Sequence, residues 1–404
     1  MHNCRFCSTP LELTFCDLGQ TPPSNSYLKT LSQKEPYFPL HAFVCSNCYL
    51  VQLGQFQTPA EIFSDYAYFS SYSDSWLEHA KQYVNKVTQR FHLNSESFVV
   101  EIASNDGYLL QYFKEKNIPI LGVEPAINVA ATAQAKGIPT LTKFFGLKTA
   151  EEIVPKASLI IGNNVLAHVP DINDFVSGIS KLLASNGIVT IEFPHLLQLI
   201  KQNQFDTIYH EHFSYLSLIS SEKIFNRWGL ELFDVEELST HGGSLRVYLQ
   251  HQGDKHAVTS NIQKVKNDEI EFGLTSLPTY LTYSAKVQEY KKNLRSFFQQ
   301  IKAEKKLVAG YGAPAKGNTL LNYCQLTPEE LPFTVDRSPH KQGHFLPGSH
   351  IPIYDPSMIE ERKPDYLFIL PWNLKEEIIQ QMAYIKKWGG KFVIPIPEVI
   401  VISA

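Results

Sequence analysis

The sequence predicts an α/β protein in three units: a small metal-binding N-terminal unit, then two successive doubly wound, Rossmann-like units. Three observations predict it. Four cysteines pair as Cys4-x2-Cys7 and Cys45-x2-Cys48. From Phe98, apolar runs at 98–103, 118–123, 158–162 and 187–193 alternate with helical patterns at 107–116, 127–136 and 172–184. A second series starts at Leu307, with runs at 307–311, 332–336, 366–370 and 391–396. Such alternation means parallel strands joined by crossover helices. The expected boundaries are 1–70, 71–260 and 261–404, with the charged, helical stretch 261–305 as a connector.

Composition narrows the function. Of 404 residues, 44% are hydrophobic and 12% aromatic, enough for a sizeable core and against global disorder. A formal net charge of −4 lacks the basic field of a nucleic-acid binder. No apolar run reaches the roughly 18–20 residues that span a bilayer. Met1-His2-Asn3-Cys4-Arg5 shows no charged segment followed by an apolar one, as a secretory leader would. The expectation is a soluble cytoplasmic protein, monomer or weak homo-oligomer, with neither nucleic acid nor membrane as partner.

The N-terminal unit comes first. Each Cys-x2-Cys turn aims two thiolates at one point, and two such turns suit tetrahedral zinc. A site closed by Cys4, Cys7, Cys45 and Cys48 is structural, because no coordination position stays open. His41 is a spare nitrogen nearby; Cys16 and Cys324 read as small hydrophobes. A hairpin and a loop fill the interval between the pairs, with a turn at Thr21-Pro22-Pro23-Ser24-Asn25-Ser26. The aromatic stretch Tyr66 to Tyr72 leads into an amphipathic helix over 75–92.

The first sheet then opens on Val99-Val100-Glu101-Ile102-Ala103-Ser104-Asn105-Asp106-Gly107. This is a buried strand, a turn of small residues and a helix start. Asn105 or Asp106 caps the helix, and Gly107 lets a ligand approach the backbone. Glu124, followed by Pro125, ends the next strand about 20 positions on, where an acid accepts hydrogen bonds from ribose hydroxyls. A dinucleotide turn wants three glycines and this one has a single glycine. That suggests a nucleoside ligand without a pyrophosphate, such as S-adenosylmethionine.

Further segments carry a specific resemblance. They are Gly162-Asn163-Asn164-Val165-Leu166-Ala167-His168-Val169-Pro170-Asp171; Glu192-Phe193-Pro194-His195 continuing to Tyr209-His210-Glu211-His212-Phe213-Ser214-Tyr215; Gly242-Gly243-Ser244-Leu245-Arg246; and Gly310-Tyr311-Gly312-Ala313-Pro314-Ala315-Lys316-Gly317. With the double cysteine turn, they make the chain resemble the sugar C-methyltransferases. These S-adenosylmethionine-dependent enzymes methylate carbon on nucleotide-linked 4-keto-deoxysugars. Ala103 departs from the glycine that relatives often have there. The resemblance implies a class I methyltransferase domain in the middle and a C-terminal domain that holds the nucleotide diphosphate, dTDP by expectation.

Methylation next to a ketone needs a base for the α-proton and a donor for the enolate oxygen. By resemblance His212 is the base, Glu211 and Tyr209 assist it, and His168 lies near the ketone. In an extended segment 210 and 212 share one face and 209 and 211 the other, so convergence requires a turn. Glu101, Ser104, Asn105, Asp106, Gly107, Glu124, Pro125, Asn163 and Asn164 are the cofactor candidates. Tyr66, Tyr68, Tyr72, His195, Lys316, Asn318 and Arg337 are the substrate candidates. Lys316 and Asn318, near a helix start, suit phosphate, with Lys341 as added charge. Three rival readings stand beside this one: an NAD-dependent nucleotide-sugar dehydrogenase or epimerase built on the Gly310 turn, a zinc-containing methyltransferase on another acceptor such as RNA, and a non-catalytic sugar-nucleotide binder.

Overall fold

The computed structural model describes residues 3–63 and 69–403. The N-terminal sheet is antiparallel: Leu13–Thr21, Phe38–Val44 and Val51–Leu53. Its fourth strand is borrowed from far along the chain, where Ser214–Tyr215 pairs with Val51 and Gln52. The segment that ends the Tyr-His-Glu-His motif is thus hydrogen-bonded into the cysteine-bearing unit.

Helix Asp74–Phe91 precedes the central sheet, capped by the Ser73 hydroxyl on the Trp76 amide and ended by His92 in the left-handed region. Ala80, Tyr83, Val84 and Val87 recur at helical spacing and are all buried. They pack with Val99, Leu159 and Ile161 of the sheet. The central sheet has seven strands. In spatial order they are Leu230–Leu238, Ser244–His251, Leu183–Pro194, Ala157–Asn163, Val99–Ile102, Ile120–Val123 and Thr140–Leu141. Ser244–His251 runs antiparallel to both neighbours, and the four adjoining pairs on the other side are parallel. That inserted antiparallel strand gives the class I methyltransferase arrangement. The strand pattern foreshadowed Val99–Ile102, Ile120–Val123, Ala157–Asn163 and Leu183–Pro194; Thr140–Leu141, two residues long, and Leu230–Leu238, whose Glu-rich outer half breaks the apolar run, had no separate signal.

The C-terminal sheet has six strands. Their order is Ile353–Tyr354, Thr334–Val335, Val308–Tyr311, Tyr366–Ile369, Lys391–Ile394 and Ile400–Ser403, and only the last pairs antiparallel. The charged stretch before it forms three helices. Ser260–Phe272 buries Ile262 and Val265 in the central core. Leu277–Leu281 and Tyr283–Ala303 pack instead with the C-terminal core, which is continuous with the N-terminal sheet. Phe15 stacks on Tyr283 at 4.7 Å between ring centroids. The three sheets therefore meet around residues 205–216.

Candidate active site and metal centre

Four thiols come together first. The sulfurs of Cys4 and Cys48 lie 3.5 Å apart, as do those of Cys7 and Cys45, and all four lie within 4.8 Å of one another. A zinc tetrahedron with bonds of about 2.3 Å has edges of about 3.8 Å, so the set fits one zinc ion. The Gln52 side-chain amide donates to Cys4 Sγ at 3.2 Å and accepts from the Arg5 amide at 2.8 Å, an outer layer that holds the thiolate in place. His41 is not a ligand; its ring bonds the Thr14 hydroxyl at 2.8 Å.

The glycine turn sits at the carboxyl ends of the central strands. Gly107 has φ +76°, and a Cβ there would lie 2.8 Å from Ile138. Asn105 is left-handed too; its amide donates to Glu124 at 2.9 Å, and Glu124's other oxygen accepts from the Ala126 amide at 2.9 Å. Asp106 pairs with Lys136 at 3.0 Å and accepts from the Ser71 hydroxyl. Among the described residues, five buried oxygens around this turn have no partner: Glu101 Oε2, Ser104 Oγ, Asp106 Oδ1, Asn163 Oδ1 and Asn164 Oδ1. Burial, with the charges of Glu124 and Asp106 nearby, pushes the Glu101 carboxyl well above its ordinary range. A cradle of orphaned acceptors and crowded carboxyls wants donors and positive charge. S-adenosylmethionine carries ribose hydroxyls, an ammonium and a sulfonium, and fits it. Pro125 follows at the rim, half-buried.

The Tyr-His-Glu-His segment is a turn, closed by the His212 amide on the Tyr209 carbonyl at 2.9 Å. The rings of Tyr209 and His212 come within 4.0 Å of each other. His210 points the other way, into the aromatic wall of Phe38 and Phe56. The Phe213 amide bonds the Ala167 carbonyl at 2.7 Å, and the Leu53 amide bonds Phe213's own carbonyl at 3.0 Å. These clasps bring His168 to 4.6 Å from His212.

Both imidazoles are held the same way. His212 Nδ1 lies 2.9 Å from the Thr207 carbonyl, and His168 Nδ1 lies 2.9 Å from the Glu211 carbonyl. A carbonyl only accepts, so each Nδ1 carries the proton and each Nε2 keeps its lone pair. Burial lowers both rings: His168 to about 4, and His212 well below its usual range with His168 as a second cause. The expectation that the Glu211 carboxylate orients His212 is corrected. That carboxyl accepts from Asn25 at 2.6 Å and burial pushes it up to about 7. Backbone carbonyls do the orienting, because the tight turn carries the Glu211 side chain away from its neighbour.

The His168 ring makes a testable mark on stability. The unfolded ring binds a proton near 6.5 and the folded ring near 4. Between these values the unfolded state holds more protons, so the ring's contribution to stability falls as pH falls. Removing the ring removes that slope. The stability gap between wild type and His168→Asn, measured by urea titration, is expected to be constant above pH 7 and to move in the variant's favour from about pH 6.5 towards pH 4.

Other expectations are relocated. His195 is buried and bonds Glu269 at 2.7 Å; the same carboxylate accepts from the Leu218 and Ile219 amides. It is a fold-locking pair, and His195 lines the cavity beside Ala167 and His212. Asn318 is 1% exposed and donates to the Ser24 carbonyl at 2.6 Å, so it anchors the N-terminal loop and is closed to a diphosphate. Arg337 is 66% exposed and 3.8 Å from Glu377, on the outside. Tyr72 is 68% exposed and lies on Phe69. Tyr66 and Tyr68 lie outside the described residues. Lys316 does face the site: its ammonium sits 4.6 Å over the Trp372 ring, bonds Asn373 at 2.8 Å and acts electrostatically on His212 and His241. The groups around the Gly310 turn are taken by protein contacts. Tyr27 of the N-terminal unit donates to the Ala313 carbonyl at 2.6 Å, and Asp336 is taken by the Ala313 and Ser338 amides at 2.8 Å each. Asn25, Thr207 and His241 are site residues that sequence reasoning missed. His241, in a Thr-His-Gly-Gly turn with Asn164 at 3.3 Å, had the only signal, the paired glycines beside it.

Known proteins resemble this chain in sequence. Residues 4–63 match a zinc binding domain family, residues 76–235 a methyltransferase domain, and residues 239–397 a C-methyltransferase C-terminal domain. C-methyltransferase NovU from Streptomyces niveus is 36% identical over 406 residues, 99% of this chain and 97% of NovU. The chain belongs to the C-methyltransferase family. Magnesium protoporphyrin IX methyltransferase from Synechocystis PCC 6803, in its solved structure, is 13% identical with TM-score 0.35, covering 44% of this chain and 79% of that one. A methyltransferase from Clostridium acetobutylicum is 10% identical with TM-score 0.36, covering 44% and 92%. As a C-methyltransferase the protein is an S-adenosylmethionine-dependent enzyme, with zinc bound by its N-terminal cysteines. Among the described residues no helix is long and apolar enough to cross a membrane.

Proposed function

We propose that this C-methyltransferase methylates the carbon next to the ketone of a nucleotide-diphosphate 4-keto-deoxysugar, with dTDP the preferred nucleotide. The observation that carries the reading is the pair of neutral imidazoles, 4.6 Å apart between their ring centroids. Each presents Nε2 as a base while a backbone carbonyl fixes Nδ1. Proton abstraction from carbon asks for such a base, and methylation of a hydroxyl or an amine asks for less.

When bound, S-adenosylmethionine supplies an electrophilic methyl group on sulfur. The roles of the protein's residues then follow. Glu101, Ser104, Asn105, Asp106, Gly107, Glu124, Pro125, Asn163 and Asn164 hold the cofactor. His212 Nε2 takes the α-proton, and the electrons of the broken C–H bond pass into the ketone as an enolate. Tyr209, ring to ring with His212, donates to the enolate oxygen. Neutral His168 has its one N–H committed to Glu211, so it accepts from a substrate hydroxyl rather than serving the oxyanion. The enolate carbon would take the methyl group of S-adenosylmethionine held by its cradle residues, the electrons of the S–CH3 bond leaving with the sulfur, and His212 returns its proton to solvent. Lys316 offers two spare N–H donors to negative charge on the substrate. Four thiolates stay reduced in the cytoplasm, where this reading places the enzyme, as a monomer or weak homo-oligomer.

The test is mass spectrometry after incubating protein, S-adenosylmethionine and a panel of nucleotide 4-keto-deoxysugars. Gain of one methyl on a panel member is the expected result. Bound cofactor with no gain on any 4-keto-deoxysugar would overturn the sugar assignment.

A further inference from the structure

A buried carboxylate beside the base faces the C-terminal unit. Asp206 is fully buried and accepts from the Trp372 indole N–H at 2.6 Å, and its second oxygen has no partner among the described residues. It is the middle residue of the short helical turn Phe205–Thr207, whose last residue gives the carbonyl that fixes His212 Nδ1. Trp372 also presses on the other flank of the site. A Cβ on Gly242 would lie 2.5 Å from the indole, and the Gly242 carbonyl accepts from Gln204 at 2.7 Å. Gln204 in turn receives the Thr207 hydroxyl at 2.8 Å. Lys316 lies over the same indole. The indole thus links the C-terminal unit, the His241 turn and the carbonyl behind the base.

We propose that Asp206 and Trp372 are positioning residues that hold His212 in its Nδ1-protonated form, so that the base is competent only while the C-terminal unit is seated on the catalytic turn. Neither is placed to touch the reacting atoms; both act through the Thr207 carbonyl. A misplaced carbonyl lets the ring proton move to Nε2, and a ring protonated there cannot accept the α-proton. The proposal rests on His212 being the base. Its physical content, the tautomer, is readable without turnover.

The experiment uses zinc-loaded, full-length protein labelled with 15N-histidine, with His212 assigned by comparison with His212→Asn. Wild type is expected to show His212 protonated at Nδ1. Trp372→Phe keeps most of the packing and removes the donor. It should populate the Nε2-protonated form and lower kcat at least about 10-fold, a fraction of what general-base catalysis contributes. The KM for S-adenosylmethionine should stay unchanged. Asp206→Asn, whose side-chain carbonyl still accepts from the indole, should keep the wild-type tautomer and most of kcat, while Asp206→Leu should behave like Trp372→Phe. A wild-type tautomer in both Trp372→Phe and Asp206→Leu would overturn the proposal whatever happens to kcat. If Trp372→Phe does not fold, the Asp206 pair decides alone. Failure of the base assignment shows separately, as full turnover in His212→Ala.

Discussion

His212→Ala is expected to lose at least about 10² in kcat, the lower end of general-base catalysis and about 2.7 kcal/mol of barrier, while S-adenosylmethionine binds as before. Rapid-quench methyl transfer and calorimetry on the same preparation check the two halves. The size follows from what replaces the ring. The turn around 209–212 is buried by Phe213, which is 1% exposed, and clasped to Ala167 and Leu53. The acceptors proposed to cradle the cofactor belong to other elements, Val99–Ile102 and the strand ends at 124 and 163. Removing the imidazole therefore leaves the cofactor's partners in place and takes away the lone pair. Asp206→Leu misplaces that lone pair, whereas His212→Ala deletes it, so the latter effect is the larger. Wild-type turnover in His212→Ala would move the base to His168, which has the same tautomer and the same unprotonated Nε2.

The contrast between His212 and its neighbours shows what a sequence carries. Apolar runs announce parallel strands because both faces are buried, and the strands at 99–102, 120–123, 157–163 and 308–311 follow that pattern. Cysteine spacing announces a metal centre because two local turns build it. Glu211, His195 and Asn318 were harder to place, because their partners Asn25, Glu269 and Ser24 lie 186, 74 and 294 residues away. Nothing local marks such a pairing. A polar residue in a diagnostic motif is open to solvent, substrate or a distant loop, and only the fold decides which. The orienting carbonyl of Thr207 was invisible for a related reason: every residue has a carbonyl, so no residue type signals one. Lys316 kept its place near the site but changed neighbours, from a phosphate at a helix start to the indole of Trp372 and the two histidines.

Removing the zinc is expected to abolish methyl transfer by dismantling the site, and slowly. Metal analysis should find one zinc per chain. A structural four-cysteine site contributes roughly 10–16 kcal/mol of apparent binding energy in small zinc peptides, comparable to the whole 5–15 kcal/mol stability of a domain. Loss on that scale unfolds the N-terminal unit, whose buried core beside the thiols is short: Phe6, Leu11 and Leu50. The damage travels to the active site through three contacts. Ser214–Tyr215 loses its strand partner at Val51 and Gln52, the Glu211 carboxyl loses Asn25, and the Pro170 carbonyl beside His168 loses Arg5, which bonds it at 2.9 Å. Cys45→Ser protein should thus be zinc-free, protease-sensitive within residues 3–58 and inactive. Wild type treated with chelator should lose turnover at the rate at which the unit opens rather than at the rate of mixing. A zinc-free protein that keeps its fold and stops at once would put the metal in the chemistry. One that keeps both fold and turnover would show that the four thiols hold the unit together without it.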